Sequence, residues 1–134
     1  MSDETYVEGP EDSVDIVVID DDASTLMAVD AILRGFNVIT FQDPGMALQH
    51  IGNTPPSLAI VDINIPNASG FEVCKRLKEN AKTEKIPILM LTSDPSQENV
   101  KKAVEIGVDG FLAKPFIPQD MRQKVRQMIQ KGGG

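Results

Sequence analysis

Four polar stretches carry the chemistry of this chain: Asp20-Asp21-Asp22, Asp62, Thr92-Ser93 and Lys114. Each follows directly on an apolar segment, respectively Val14–Ile19 (VDIVVI), Ser57–Val61 (SLAIV), Ile86–Leu91 (IPILML) and Asp109–Ala113 (DGFLA). Should those segments lie side by side in a parallel sheet, the four stretches meet beyond its carboxyl edge, where open α/β sheets bind ligands. Asp20, Asp21 and Asp62 would then put three carboxylates in one small cleft. Like charges that close do not all ionise without compensation. Lys114 supplies one positive charge, and a divalent cation supplies the rest. Carboxylate oxygens, joined by a backbone carbonyl and water, are hard ligands that suit Mg²⁺ rather than zinc. Mg²⁺ and Lys114 offer positive charge to a phosphoryl oxygen, while Thr92 and Ser93 offer hydroxyl donors. Phosphoryl transfer needs those parts, positioning and charge neutralisation. One carboxylate can serve as nucleophile and form an acyl phosphate.

The segments between these stretches have the periods needed to position them. Leu26, Val29, Ile32 and Leu33 fall on one helical face after the first strand. Asn37–Phe41 (NVITF) reads as a second strand, peripheral because its exit brings no comparable chemistry. Asp43-Pro44 is an N-cap with Pro at the first helical position, opening a helix that carries Ala47, Leu48 and Ile51. Ile63–Ala68 reads as a loop. Ser69-Gly70-Phe71-Glu72 fits a capping box, and Phe71, Val73, Cys74 and Leu77 form the apolar face that follows. Asp94-Pro95 with Gln97 predicts the next helix start, with Val100, Ala103 and Val104 facing inward and Gly107 closing it. Pro118 opens the last helix, which carries Met121, Val125, Met128 and Ile129. Five strands alternating with five helices predict an α/β fold, a parallel sheet covered on both faces.

Composition narrows the function classes. The chain has 134 residues and net charge −7, enough for one domain with a real core. Residues 1–22 hold nine acids and no base, so the acidity gathers at one end. Residues 1–13 read as a flexible acidic tail, 14–131 as the folded domain and 132–134 as a flexible glycine tail. Basic residues are scattered and aromatics make up only 4%, which argues against direct nucleic-acid binding. No run of eighteen apolar residues exists, so no membrane span is expected. Cys74 is the only cysteine and reads as a small core hydrophobe, and a reducing cytoplasm is the expected compartment. His50 has no partner within its helix and is expected to face solvent.

VVIDDD (17–22), LAIVDINIPNASGFEV (58–73), ILMLTS (88–93) and GVDGFLAKPF (107–116) together resemble the response-regulator receiver domain of two-component signalling. The resemblance covers nearly everything from Val14 to Ile129. It implies a flavodoxin-like sheet of order 2-1-3-4-5. It makes Asp62 the phosphoryl acceptor, with Mg²⁺ held by Asp20, Asp21, Asp62 and the backbone carbonyl of Asn64. Thr92, Ser93 and Lys114 would bind the phosphoryl group, Phe111 would stand at an aromatic switch position, and Lys114-Pro115 would be a cis peptide. The implied partners are a sensor histidine kinase or phosphotransfer protein and a downstream effector. The effector would be met through the fourth helix, fifth strand and fifth helix. The domain would catalyse only its own phosphorylation and dephosphorylation, as a monomer or a phosphorylation-linked dimer. Two departures stand out: the span from Asp21 to Asp62 is short for the family, and Phe111 lacks the hydroxyl of the commoner Tyr.

A second class competes. Phosphatases of the haloacid-dehalogenase type also begin with a strand followed by D-x-D, which Asp20 and Asp22 satisfy, and there Asp20 would be the nucleophile. The missing Gly-Thr after that motif, the short chain and the idle Asp62 stand against it. Asp22 has a plainer role available, facing solvent or capping the first helix.

Overall fold

The computed structural model describes residues 11–65 and 68–133. Strands β1 (Asp15–Ile19), β2 (Asn37–Phe41), β3 (Leu58–Asp62), β4 (Ile88–Thr92) and β5 (Gly110–Ala113) alternate with helices along the chain. Those helices are α1 (Ala23–Ile32), α2 (Pro44–Asn53), α3 (Gly70–Glu79), α4 (Gln97–Ile106) and α5 (Pro118–Gly133). The strands form one parallel sheet in the order β2-β1-β3-β4-β5. Every residue of the central strands β3 and β4 is buried, as continuous apolar runs in a doubly covered parallel sheet require. Alternate residues feed two cores. Ile16, Val18, Leu58, Ile60, Leu89 and Leu91 meet α1 and α5 through Leu26, Val29, Met121 and Val125. Val17, Ile19, Ala59, Val61, Ile88 and Met90 meet α2, α3 and α4 through Ile51, Val73, Leu77 and Ala103.

Capping follows the sequence in most places. The side chain of Asp22 accepts the Ser24 amide at the start of α1, and those of Asp43 and Ser69 accept the Met46 and Phe71 amides at α2 and α3. Gly107 ends α4 with φ 98°, a left-handed position where other residues are strained. Helix α4 departs from the prediction at its start. It begins at Gln97 under Ser96, whose hydroxyl accepts the Asn99 amide at 3.2 Å. Asp94-Pro95 instead belongs to the loop, because the Asp94 amide donates to Thr92 Oγ1 (2.8 Å) and its carbonyl accepts from Asn99 Nδ2 (2.9 Å). The inward face of α4 is also narrower than its pattern implies. Ala103 is buried, whereas Val100 and Val104 are 37% and 69% exposed.

Three further differences concern short or terminal segments. Asn64–Ile65 and Ala68–Ser69 pair as a two-residue antiparallel ladder inside the stretch expected to be loop. Glu11–Ser13 form a 3₁₀ turn, and Glu11 bridges Arg122 and Arg126 of α5 at 3.8 and 2.9 Å. The rest of the expected acidic tail, residues 1–10, lies outside the described residues. At the other end, α5 runs into the glycines, to Gly133. His50 is half-buried, its ring 5.4 Å from that of Phe41.

Candidate functional site

The parallel register delivers the polar residues to one rim. Ile19 lies opposite Val61, Asp62 opposite Leu91, and Thr92 opposite Ala113. Asp62 and Thr92 are therefore the last residues of neighbouring strands. Asp20 and Lys114 are the first residues beyond theirs. Backbone bonds continue the sheet at these exits. The Asp20 amide donates to the Phe41 carbonyl (3.1 Å), that of Ile63 to Leu91 (3.0 Å), and that of Lys114 to Thr92 (2.7 Å). The Lys114-Pro115 peptide is cis.

Asp20 and Thr92 are wholly buried and Asp62 is 4% exposed. Lys114 joins the two buried acids: its Nζ lies 3.0 Å from Asp20 Oδ2 and 3.5 Å from Asp62 Oδ1. The other Asp20 oxygen accepts the Asp22 amide at 3.0 Å. One lysine thus faces two carboxylates, and Asp62 bears the imbalance. Burial first, then the neighbouring Asp20 charge, push its carboxyl up to about 6, against the pull of Lys114 and the Asn64 amide. Burial alone would lower the Lys114 ammonium, but its bond and charge contacts with Asp20 and Asp62 reverse this and hold it above its ordinary value.

Asp21 completes the group and is exposed. Asp20, Asp21 and Asp62 each offer one oxygen, and these oxygens lie within 4.8 Å of one another. Hard divalent ions bind oxygens at about 2.0–2.6 Å, so one cation can touch all three. The donor set is all oxygen, it carries excess negative charge, and it reaches solvent through Asp21. On those grounds the residues fit a hard divalent cation.

The remaining candidates occupy differing positions in the fold. Asn64 directs its amide to the Asp62 carboxylate, and its own side of the ladder faces Ser69. Ser93 is exposed on the bend after β4. Phe111 is half-buried, opposite Met90 in register and packed against the core under α2, α3 and α4. Asp22 accepts from the Ser24 amide (3.0 Å), the Ser24 hydroxyl (2.8 Å) and the Thr25 hydroxyl (3.1 Å). The second carboxylate of D-x-D thus serves the α1 cap, which speaks against the phosphatase reading. Cys74 is buried, and burial pushes its thiol up to about 12, leaving it inert.

Gly70 is a positioning residue that the sequence showed only as part of a capping box. Its amide donates to the Ile63 carbonyl at 2.8 Å. A Cβ there would collide with the Asp62 carbonyl oxygen and stand 2.7 Å from Ile63 Cα. Only glycine lets the first turn of α3 close on the backbone that carries Asp62.

The description of the response regulator receiver domain family matches residues 16–126. The chain belongs to that family. The alkaline phosphatase synthesis transcriptional regulatory protein PhoP of Bacillus subtilis is 32% identical over 118 residues, 87% of this chain and 48% of that protein. The DNA-binding response regulator MtrA of Mycobacterium tuberculosis is 31% identical over 118 residues, 87% of this chain and 50% of that protein. The chain thus spans about half the length of the curated relatives it matches. The chemotaxis protein CheY4 of Vibrio cholerae superposes with a TM-score of 0.82 at 29% identity, over 86% of this chain and 98% of that one. A CheY-like receiver domain protein from Methanospirillum hungatei gives 0.83 at 25% identity, over 90% and 96%. This receiver domain is a phosphoacceptor signalling module of two-component systems.

Proposed function

We propose that Asp62 is the acceptor, taking a phosphoryl group from the phosphohistidine of a sensor histidine kinase or phosphotransfer protein in a Mg²⁺-dependent reaction. The observation that carries this reading is the union of Asp20, Asp21, Asp62 and Lys114 at one sheet rim, with three carboxylate oxygens within 4.8 Å. The carboxylates of Asp20, Asp21 and Asp62 and the backbone carbonyl of Asn64 would hold the ion. When bound, Mg²⁺ supplies the positive charge that lets these acids and a phosphoryl group share one pocket.

The chain's own residues account for the rest. An Asp62 carboxylate oxygen forms the bond to phosphorus while the bond from phosphorus to the donor nitrogen breaks, and the electron pair stays on the imidazole. Lys114 shifts from bridging two carboxylates to meeting the new phosphoryl oxygens, with the Thr92 and Ser93 hydroxyls as further donors. The α4–β5–α5 face then changes its partner binding, with Phe111 repacking as part of that change. Exposed Val100 and Val104 on α4 give this face apolar contact area. The domain's catalysis is confined to its own phosphorylation and dephosphorylation. Residues 14–131 form the receiver unit, in the cytoplasm, where kinase and effector are both accessible. Among the described residues, no helix is long and apolar enough to cross a membrane.

The test uses acetyl phosphate with Mg²⁺. Labelling that disappears in Asp62→Asn and persists, at a reduced rate, in Asp20→Asn supports this reading. The reverse pattern would make Asp20 the nucleophile.

A further inference from the structure

The cleft above the carboxylate cluster has a cation that the acceptor chemistry has not used. Its walls include Asp21, Asn64, the α3 cap Ser69 and Phe71 of its first turn, Asp94, and Asn99 and Lys102 of α4. Its charged lining residues are thus two acids and Lys102. With the buried Asp20, Asp62 and Lys114, the region holds four acids against two lysines. A divalent ion brings that set to neutrality only if Lys102 is counted. Without Lys102, that set keeps a net charge of −1 with a divalent ion bound, which opposes an incoming anionic phosphoryl donor.

Lys102 is also held ready. Its Nζ stands 5.4 Å from the centroid of the Phe71 ring, a cation over an aromatic face. Lys78, Lys114, Arg76, Arg122 and Arg126 each pair with an acid. Among the described residues, no carboxylate lies within 4.0 Å of the Lys102 ammonium. Such a contact with Phe71 places the ammonium beside the cleft without neutralising it. An exposed lysine can leave a ring face at small cost.

We infer that Lys102 is a positioning residue for phosphoryl transfer, drawing the dianionic group of the donor across the acidic mouth and toward Asp62. The inference rests on the acceptor reading above. For a small donor the step balances simply. An Asp62 oxygen bonds to the phosphorus of acetyl phosphate, the bond from phosphorus to the acyl oxygen breaks, and acetate leaves with that electron pair.

The experiment measures the second-order labelling rate of wild type, Lys102→Gln, Lys102→Glu and Lys102→Arg with acetyl phosphate and saturating Mg²⁺, at low and high salt. Lys102→Gln should be slowed roughly three- to tenfold at low salt, and Lys102→Glu further, with both deficits shrinking at high salt. Lys102→Arg should stay within about twofold of wild type, because it keeps the charge. Phosphoramidate, which carries less negative charge at neutral pH, should show a smaller deficit. A merely structural lysine would move neither the salt dependence nor the donor dependence. A Lys102→Gln rate equal to wild type at low salt would overturn the inference, as would a deficit indifferent to salt and donor charge. Wild-type labelling that survives Asp62→Asn would instead overturn the acceptor reading, and this inference with it.

Discussion

Asp62 is a carboxylate under strain from its surroundings, and the sign of that strain is measurable. Its carboxyl is raised from 3.8 to about 6 by burial and by Asp20. Above pH 6 the group is ionised in both folded and unfolded states, and the folded state carries the unfavourable charge. As pH falls from 6 toward 3.8, the folded protein takes up a proton that the unfolded chain does not, so this group's penalty is relieved. In metal-free buffer, Asp62→Asn should therefore raise stability at pH 7–8, by at most about 3 kcal/mol, with the gain vanishing near pH 4. Asp20, 3.0 Å from Lys114 in the unmutated chain, remains as its partner in that variant, so no buried charge should be left unpaired. Thermal melts of both proteins across that range check the sign, and a variant less stable at pH 8 would contradict it. Gly70 makes a second prediction at this scale. Gly70→Ala forces a Cβ into the Asp62 carbonyl and should cost about 1–3 kcal/mol. It should also slow acetyl phosphate labelling, which separates loss of site geometry from loss of stability in denaturant titrations at equal folded fraction.

Among the elements, α5 and the end of α1 are joined by a polar tie. Arg122 donates to the carbonyls of Ile32 (2.7 Å) and Arg34 (3.2 Å), and its guanidinium lies 5.9 Å from the Phe36 ring. It thereby serves carbonyls that the end of α1 leaves without helical partners. Arg122→Met should lower the urea midpoint by the equivalent of about 1–3 kcal/mol at unchanged slope, and leave labelling intact. The tie was not legible in the sequence, because its partners are some ninety positions apart and two are backbone atoms. What was legible had a local cause. The strands showed as apolar runs, and Asp22, Asp43 and Ser69 showed as caps because a cap acts within three residues. The start of α4 was misplaced because Asp94-Pro95 has the right chemistry for a cap. Its amide is claimed instead by Thr92, a contact fixed by where β4 ends. Val100 and Val104 read as inward because periodicity gives a face without its width. Gly70 could have been found only from the closeness of α3 to the exit of β3.

At the scale of the whole molecule, the sheet places acids from β1 and β3 beside the lysine from β5. The candidate site was readable because parallel strands put all carboxyl ends on one rim. The charge count at that rim predicts linkage to metal. Mg²⁺ should raise the melting temperature of wild type with concentration, approaching about 2.7 kcal/mol of stabilisation at a hundredfold excess over its dissociation constant. Asp62→Asn and Asp21→Asn should lose most of that response. The most direct measurement of the central claim locates the phosphoryl group itself. Protein treated with acetyl phosphate is reduced with borohydride, which converts an aspartyl phosphate to homoserine, and its peptides are read by mass spectrometry. The account predicts homoserine at position 62, in Mg²⁺ and not in chelator. Homoserine at position 20, or an equal yield at position 62 without divalent metal, would contradict it.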